Sequence, residues 1–503
     1  MPWLERILYL VNERRPWAGN FLCLLFGLLM PLAFAPFEWR WLTVPSLAGL
    51  LLLARQAAPG RAALRTFIHG LGMFGFGISW VYNSLHDFGS ASFFVAALIT
   101  AALVLACSAV HAGCMALYAR WRGASLLFNS LLLFPAAWIT AEWVRSWILS
   151  GFPWLLLGYS QVDSLLSGYA PVVGTLGLGF DLAVLAGAVV VALLGAMRQR
   201  LAAGCAAAVI LLAGVLLHHV SWVESSGGRL KAALIQGNIP QELKMRPDQL
   251  AHNIAHYQQL SHPHYDSDLI VWPETAIPSF KHRVEEMLQP FYLDLNRYGA
   301  ELITGVFVYD FERKLYYNSL YKLGSDEVYS KQHLVPFGEY MPLRGLLEFM
   351  NRFINIPMSD IAPAVNLGLM PVAGHTAGLS ICYESAYASI FRRQLPQAEF
   401  FVNASNDAWF GDSLAPHQHL EIARMRALES GRYLLRATNN GISAVIAPDG
   451  KIVQRSPQFM DSVISAEIET MGGMTPYAAA GDWPVLLLAA AVLLGGWVRR
   501  RRG

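Results

Sequence analysis

Charged residues are scarce in this sequence. Only 14% of its 503 residues are Asp, Glu, Lys or Arg, whereas 55% are hydrophobic. Because soluble proteins carry about 25% charged residues, a large part of the chain is expected to lie in lipid. The formal net charge is only +2, and no basic run is interleaved with aromatic residues, so we predict no nucleic-acid partner.

Cysteine is also scarce, and its distribution excludes a disulfide framework. Only Cys382 is placed for chemistry, since the other four lie inside apolar segments, where a thiol behaves as a small hydrophobic group: Cys23, Cys107, Cys114 and Cys205. Two His-x-His pairs, His262/His264 and His417/His419, lack a recognisable third ligand. We interpret them as surface or packing histidines and predict no metal and no cofactor.

Long apolar segments predict a multi-pass α-helical membrane bundle of about eight helices, because one span needs roughly 20 residues. They fall at about 20–36, 42–54, 66–83, 91–118, 124–148, 166–196, 203–219 and 483–497. The alternative that the first segment is a cleaved signal peptide is disfavoured by its length and by the proline that follows Ala33-Phe-Ala35.

Lys and Arg concentrate in alternate connections between these segments. Examples are Arg55, Arg61 and Arg65 in one connection, residues 197–200 in another, and the terminal residues 499–502. By the positive-inside rule, both termini are predicted to be cytoplasmic, and residues from about 225 to 475 to lie on the far side of the membrane.

Two ionisable residues stand out within the apolar segments. Glu142 and Arg145 are three positions apart and therefore share a helix face. They predict either an intramembrane pair that fixes helix packing or polar groups near a bound substrate.

From Arg229 onward the composition indicates one mixed domain in which sheets are buried beneath helices. Helices are predicted at about 247–261, 282–298 and 416–434. Strands are predicted at 231–237, 267–273, 301–308, 315–323, 327–331, 376–383, 398–405, 441–447 and 463–468. Residues 342–367 form a long insert with many large apolar side chains, which either pack on the same domain or form an arm that dips toward the bilayer.

Three predicted strands deliver chemically useful side chains at their ends. Glu274 follows the strand near 270, Lys331 ends the strand near 329, and Cys382 ends the strand near 380. A carboxylate that accepts a proton, an ammonium that stabilises an oxyanion and a thiol that attacks are the groups needed for acyl transfer through a thioester. The alternatives are a structural cysteine and a salt bridge from Lys331 to Glu274 or Glu339.

The motifs around these residues resemble those of the nitrilase superfamily, and nearly the whole chain is similar to its membrane-bound apolipoprotein N-acyltransferase family. The matching segments are Gln236-Gly-Asn-Ile-Pro-Gln, Trp272-Pro-Glu-Thr-Ala-Ile-Pro, His333-Leu-Val-Pro-Phe-Gly-Glu-Tyr, Ile381-Cys-Tyr-Glu, Ser405-Asn-Asp-Ala-Trp-Phe-Gly, Arg436-Ala-Thr-Asn-Asn-Gly, Trp80-Val-Tyr and Gly151-Phe-Pro-Trp-Leu. One departure is Met245, where members often carry Trp. It puts in doubt a gating role for an indole at that position.

The resemblance implies an α-β-β-α sandwich with Glu274, Lys331 and Cys382 as catalytic triad. It also implies supporting or substrate-binding roles for Trp272, Glu339, Tyr340, Tyr383 and Glu384. For Glu339 and Glu384, hydrogen bonding behind the triad and direct proton transfer are both open.

The implied reaction moves an acyl chain from a phospholipid to the α-amine of the diacylglyceryl-cysteine of an apolipoprotein. The domains are expected at 1–222 and 480–503 for the membrane part and at 228–472 for the nitrilase-like part. The location is then a bacterial inner membrane with a periplasmic catalytic domain, and the enzyme is expected to be a monomer that works at the bilayer.

Two other functions fit parts of the sequence. A membrane-tethered amidase or nitrilase would use the same triad with water as the second nucleophile. A transporter with an inactive external domain is disfavoured, because the bundle shows no inverted repeat and no paired broken helices.

Overall fold

A computed structural model describes residues 2–89, 91–336, 338–340 and 361–502. The chain divides into two compact units, one formed by Met1–Tyr82, Ala97–Val220 and Ala480–Gly503 and the other by Asn83–Ala96 and Ser221–Ala479. Most of the predicted insert at 342–367 falls outside the described residues, so both interpretations of it stay open.

Helices make up the described part of the first unit. Each of the eight predicted apolar segments contains a helix, and six helices among the described residues are long and apolar enough to cross a membrane. The predicted multi-pass helical region is therefore confirmed. Its helices are Pro2–Tyr9, Pro16–Leu29, Thr43–Ala54, Pro59–Gly77, Trp80–Asn83, Phe93–Trp121, Leu126–Phe128, Phe134–Arg145, Ala170–Leu194, Met197–His218 and Trp483–Arg502.

A largely buried non-helical segment, residues 151–156, and the start of the 3-10 helix Leu157–Gln161 that follows it explain the two ionisable residues of the helix Phe134–Arg145. Arg145 donates to the carbonyl oxygens of Phe152 and Trp154, at 2.6 Å for Trp154, and the Glu142 carboxylate accepts from the Leu157 N–H at 3.0 Å. Irregular backbone within a membrane protein is tolerated when its polar groups find such partners. Glu142 and Arg145 thus both hold this segment, and these contacts favour the packing role over a position near a substrate.

Two six-stranded sheets form the centre of the second unit. The strands are β1 Val223–Gln236, β2 Leu269–Val271, β3 Glu301–Asp310, β4 Leu315–Lys322, β5 Val328–Ser330, β6 Leu369–Val372, β7 His375–Ile381, β8 Phe400–Ser405, β9 Leu434–Thr438, β10 Ala444–Ile446, β11 Ile452–Arg455 and β12 Ser462–Gly473. The strand orders are β12-β1-β2-β3-β4-β5 and β11-β10-β9-β8-β7-β6, and in each sheet three neighbouring parallel strands are flanked by antiparallel ones.

Each sheet carries helices on one face and the other sheet on the opposite face. The helices Leu250–Ser261 and Lys281–Tyr298 bury apolar side chains against the first sheet, and Ala388–Arg393 and Ala415–Ser430 do the same on the second. Between the sheets, the Gln236 side chain at the end of β1 accepts hydrogen bonds from the second sheet. The predicted α-β-β-α sandwich is confirmed.

The structure corrects several element boundaries. The helix predicted to reach 434 ends at Ser430, because Gly431 has φ +65° and closes the helix in the left-handed conformation. Strand β9 begins three residues later, at Leu434, and was not predicted. Strands β6 and β11, at opposite edges of the second sheet, were also missed, since β6 contains Pro371 and β11 is largely exposed, so neither shows the apolar alternation of a strand.

The candidate site lies at the carboxyl ends of the strands. Glu274 follows β2, Lys331 follows β5 directly, and Cys382 follows β7 directly. Parallel strands of open α/β sheets present their carboxyl ends at one edge, which is where such folds bind ligands.

Candidate active site

A buried ammonium between two carboxylates forms the first half of the site. Lys331 Nζ donates to Glu274 Oε1 at 3.1 Å and to Glu339 Oε1 at 2.8 Å. Asn318 on β4 donates to the same two oxygens, at 2.7 and 3.3 Å. The salt bridge that the sequence left as an alternative for Lys331 is therefore present with both carboxylates.

Opposing effects set the charge state of this group. Burial would raise the pKa of Glu274, but the Lys331 ammonium, the Asn318 hydrogen bond and Lys244 outweigh burial and hold that pKa below its usual range. Burial alone would lower the pKa of Lys331, whereas Glu274 and Glu339 raise it well above the usual value. Glu274 is consequently ionised and Lys331 protonated at neutral pH.

The thiol of Cys382 occupies a strained position directly after β7. Its φ is +51°, a conformation that a residue with a Cβ rarely adopts and that is found at functional sites. Burial and the nearby Glu274 carboxylate raise the pKa of Cys382 to about 12, and Lys331 only partly opposes them. The resting thiol is therefore protonated, and its reaction as a nucleophile requires a base.

The Glu384 carboxylate connects the Lys331 segment to the Cys382 segment. Oε1 accepts from the N–H groups of Gln332 at 2.7 Å and His333 at 3.1 Å, and Oε2 accepts from the Ile381 N–H at 2.7 Å and the Tyr329 hydroxyl at 2.8 Å. All four donors flank Lys331 or Cys382. Of the two predicted roles of Glu384, this arrangement favours hydrogen bonding behind the triad over direct proton transfer.

The three aromatic residues implied by the resemblance lie in different places. Tyr383 is buried beside Cys382, and its hydroxyl accepts from the Tyr387 hydroxyl at 3.3 Å. Tyr340 is half-buried and packs against the apolar cluster that contains Phe307. Trp272 is not brought to the site, because its ring lies in the core beneath the helices, where its Nε1 donates to Ser261 Oγ at 2.9 Å.

A buried polar network behind Cys382 was not predicted. His419 Nε2 donates to the Cys382 carbonyl oxygen at 3.1 Å, and Arg436 donates to Asp407 Oδ2 at 2.8 Å and to Asn403 Oδ1 at 2.6 Å. Burial and Arg436 lower the pKa of His419. His419 Nδ1 lies 3.1 Å from Asp407 Oδ1 and 2.9 Å from the Arg436 guanidinium, so the ring contacts both members of the Asp407–Arg436 ion pair. His419 is therefore not the surface or simple packing residue that its His-x-His spacing indicates.

The sequence contains signals for some of these partners. Asp407 and Arg436 lie in two of the segments that carry the family resemblance, and Asn318 is an amide within a largely apolar strand. Asn406, whose N–H donates to Glu274 Oε2 at 2.9 Å, precedes Asp407 in the same segment. Their contacts join residues far apart in the chain, and no local pattern assigns such pairs.

The fold and the site define a class of protein: a membrane-helix protein joined to a nitrilase-like α-β-β-α domain with Glu, Lys and Cys at the strand ends. Comparisons agree with this class. The family model described as apolipoprotein N-acyltransferase N-terminal domain matches residues 26–188, and that described as carbon-nitrogen hydrolase matches residues 231–475.

Curated relatives specify the family. An apolipoprotein N-acyltransferase from Methylococcus capsulatus is 43% identical over 486 residues, which cover 96% of this chain and 96% of the relative. One from Azotobacter vinelandii is 41% identical over 505 residues, covering 97% of this chain and 96% of the relative. The chain belongs to the apolipoprotein N-acyltransferase family.

Solved structures resemble about half of the chain. An amidase from Nesterenkonia is 14% identical with a TM-score of 0.38, and covers 53% of this chain and 98% of its own. A carbon-nitrogen hydrolase from Helicobacter pylori is 18% identical with a TM-score of 0.34, and covers 54% of this chain and 94% of its own.

Proposed function

We propose that this protein is an acyltransferase that N-acylates lipoproteins, using a phospholipid as acyl donor and the α-amine of a diacylglyceryl-cysteine as acceptor. The observation that carries the proposal is the buried Lys331, bound by Glu274 and Glu339 at the strand ends where Cys382 also lies. The mechanism is ping-pong, with a Cys382 thioester as the intermediate.

In the first half-reaction, Glu274 accepts the thiol proton as the Cys382 sulfur attacks the carbonyl carbon of a phospholipid ester. Lys331 stabilises the oxyanion: its ammonium has three N–H groups, two of them donate to carboxylates among the described residues, and the third is assigned to the substrate. Loss of one such donor costs about 3 kcal/mol in other enzymes. The C–O bond then breaks, and the lysophospholipid leaves with the proton returned from Glu274.

In the second half-reaction, the acceptor amine attacks the thioester carbonyl. An α-amino group has a pKa of about 8 and arrives largely protonated, so it first loses one proton to the solvent and becomes a nucleophile. Glu274 takes the next proton as the amide forms, and gives it to the sulfur as the C–S bond breaks. The free thiol and the ionised Glu274 are thereby restored.

The two units have separate tasks under this proposal. Residues 1–222 and 480–503 hold the enzyme in the inner membrane with both termini in the cytoplasm, and residues 228–472 are the periplasmic catalytic domain. Both substrates carry acyl chains, and removing a chain from lipid costs about 0.8 kcal/mol per methylene. We propose that a monomer acts at the bilayer, where that cost is avoided.

The test is intact-protein mass spectrometry of the detergent-purified protein after incubation with a phospholipid. We expect a mass gain of one acyl chain that hydroxylamine removes and that is absent from Cys382→Ala. Addition of a diacylglyceryl lipopeptide should then remove the chain from the enzyme and place it on the peptide amine.

Each contrary result has a distinct meaning. An adduct that persists in Cys382→Ala would show that the nucleophile is another residue. Rapid release of free fatty acid without an amine acceptor would favour a hydrolase. Absence of any adduct with several phospholipids would contradict the proposed donor.

A further inference from the structure

A second lysine is buried beside the proposed triad. Lys244, in the short helix Gln241–Lys244, has no solvent-exposed surface, and its Nζ donates to the main-chain carbonyl oxygen of Glu274 at 2.9 Å. Lys is almost never fully buried unless its charge has a partner. Among the residues that the structure describes, this ammonium donates to a neutral carbonyl, so its charge must be balanced by charged groups nearby.

Those groups belong to the active site. Burial lowers the pKa of Lys244 to about 8, and the charges of Glu274 and Cys382 act in the opposite direction. Lys244 in turn helps to hold the pKa of Glu274 below its usual range. Lys244 is therefore close enough to Glu274 and Cys382 to interact with both.

A charge count shows why a second cation is useful. Lys331 is bound by two carboxylates, Glu274 and Glu339, so these three groups alone carry one excess negative charge. An excess anion in a buried site opposes both a thiolate and an oxyanion. The Lys244 ammonium cancels this excess.

The same contact also fixes the Glu274 main chain. Pro273, Glu274 and Thr275 form a turn that lies directly against Gly305. A Cβ added to Gly305 would come within 2.7 Å of the main-chain carbonyl carbon of Glu274. Thr275 in this turn has φ +50°, which is unfavourable for a residue with a Cβ. The Lys244 hydrogen bond is an added restraint on a strained turn.

We propose that Lys244 is the second cation of this active site, which offsets the surplus carboxylate charge next to Cys382 and positions Glu274 through its main-chain carbonyl. The proposal rests on the proposed function, in which Cys382 is the nucleophile. Its direct test needs no lipid substrate, so the two can fail separately.

The test measures the rate at which iodoacetamide alkylates Cys382 at pH 7, where Lys244 is charged, followed by peptide mass spectrometry of the full-length protein in detergent. A nearby cation lowers the pKa of a thiol, so removal of the cation raises it. At a pH below the thiol pKa, each unit of increase reduces the thiolate fraction, and with it the alkylation rate, about tenfold. We expect Lys244→Met to slow alkylation about five- to tenfold. Thioester formation with a phospholipid should slow at least as much.

Two further variants separate charge from packing. Lys244→Gln keeps a donor for the Glu274 carbonyl but has no charge, and should slow alkylation as Lys244→Met does; it also carries the test if the Met variant does not fold. Lys244→Arg restores the charge and should return the rate to within about twofold of the wild type.

Lys322→Met is the matched control. Lys322 Nζ also donates to a main-chain carbonyl, that of Pro371, at 2.9 Å, but this hydrogen bond is solvent-exposed. It should leave the alkylation rate unchanged. Alkylation that is unchanged or faster in folded Lys244→Met and Lys244→Gln would overturn the proposal. Loss of a purely structural lysine would loosen the site and expose the thiol, and alkylation would not slow.

Discussion

At the scale of single residues, Glu384 has a buried carboxylate, and both of its oxygens hold neighbouring chain segments in place. It accepts from three main-chain N–H groups and one hydroxyl on both sides of the site. The Lys331 and Cys382 segments belong to different sheets, so no ladder hydrogen bond joins β5 to β7. Glu384 supplies part of the connection that the sheets do not.

We therefore expect Glu384→Gln to destabilise the protein and to slow thioester formation. The amide nitrogen would face donors, and each buried group left unpaired costs about 1–3 kcal/mol. A thermal melt in detergent should show a fall of about 2–12 °C, since 1 kcal/mol shifts the melting temperature of a domain of this size by about 2–4 °C. Glu327→Gln, at an exposed position, is the control; equal melting of both variants would contradict the role of Glu384.

Asp407 gives a prediction about pH. Burial would raise the pKa of Asp407, but Arg436 and His419 hold it far below its usual range. A depressed folded pKa gives stability that is present above the unfolded value of about 4 and lost as the pH falls toward the folded value. The melting temperature of the wild type should exceed that of Asp407→Asn at pH 7, and the difference should narrow below about pH 4. A difference that stays constant down to pH 3 would show that Asp407 does not act through its charge.

At the scale of structural elements, the strand β3 determines where Glu274 lies. A Cβ on Gly305 would stand 2.2 Å from the Thr275 nitrogen and 2.5 Å from the Pro273 carbonyl oxygen. Both are main-chain atoms, which cannot swing away as a flexible side chain can.

Gly305→Ala should accordingly displace the Glu274 turn and reduce thioester formation about 100-fold, since misplacement of about 1 Å can cost that much. Gly472→Ala is the matched glycine in β12 of the same sheet, where the nearest atom to an added Cβ is 3.9 Å away. Its rate should match the wild type. Similar rates for the two variants would show that the turn adapts.

In the membrane-helix unit, the helix Phe134–Arg145 holds a non-helical segment. Glu142 Oε1 accepts from both Trp138 Nε1 at 3.1 Å and the Leu157 N–H at 3.0 Å. Water is not available in lipid to replace these hydrogen bonds.

Glu142→Leu should therefore lower the melting temperature by leaving two buried donors unpaired, at about 1–3 kcal/mol each. Glu142→Gln keeps an acceptor oxygen and should remain close to the wild type. The measurement is thermal unfolding in detergent, and a loss of stability as large in Gln as in Leu would indicate that the charge, and not the hydrogen bonds, is what matters.

At the scale of the whole molecule, the alternation of basic connections predicts a topology that single-cysteine labelling can test. In a variant without native cysteines, Glu312→Cys in the second unit should react with a membrane-impermeant maleimide in intact spheroplasts. Ala124→Cys, beside the basic residues Arg120 and Arg122, should react only after lysis. Both positions are solvent-exposed. The reverse pattern would place the catalytic domain in the cytoplasm.

The sequence by itself determined the class of fold and the position of three site residues. Apolar length and charge set the membrane helices, and strand ends located Glu274, Lys331 and Cys382, because these properties depend on residues that are close in sequence. The end of the helix Ala415–Ser430 at Gly431 also depends on nearby residues. The residues after Gly431 are compatible with a helix, so the sequence did not reveal that β9 begins at Leu434.

Only the tertiary structure decided which groups act together. Asn318, Lys244 and Asn406 come from three distant segments and meet at Glu274. The same packing buries Trp272 in the core although it lies two residues from Glu274. Hydrogen bonds and burial depend on distances between residues that are far apart in the chain. The local pattern of polar and apolar residues does not determine those distances.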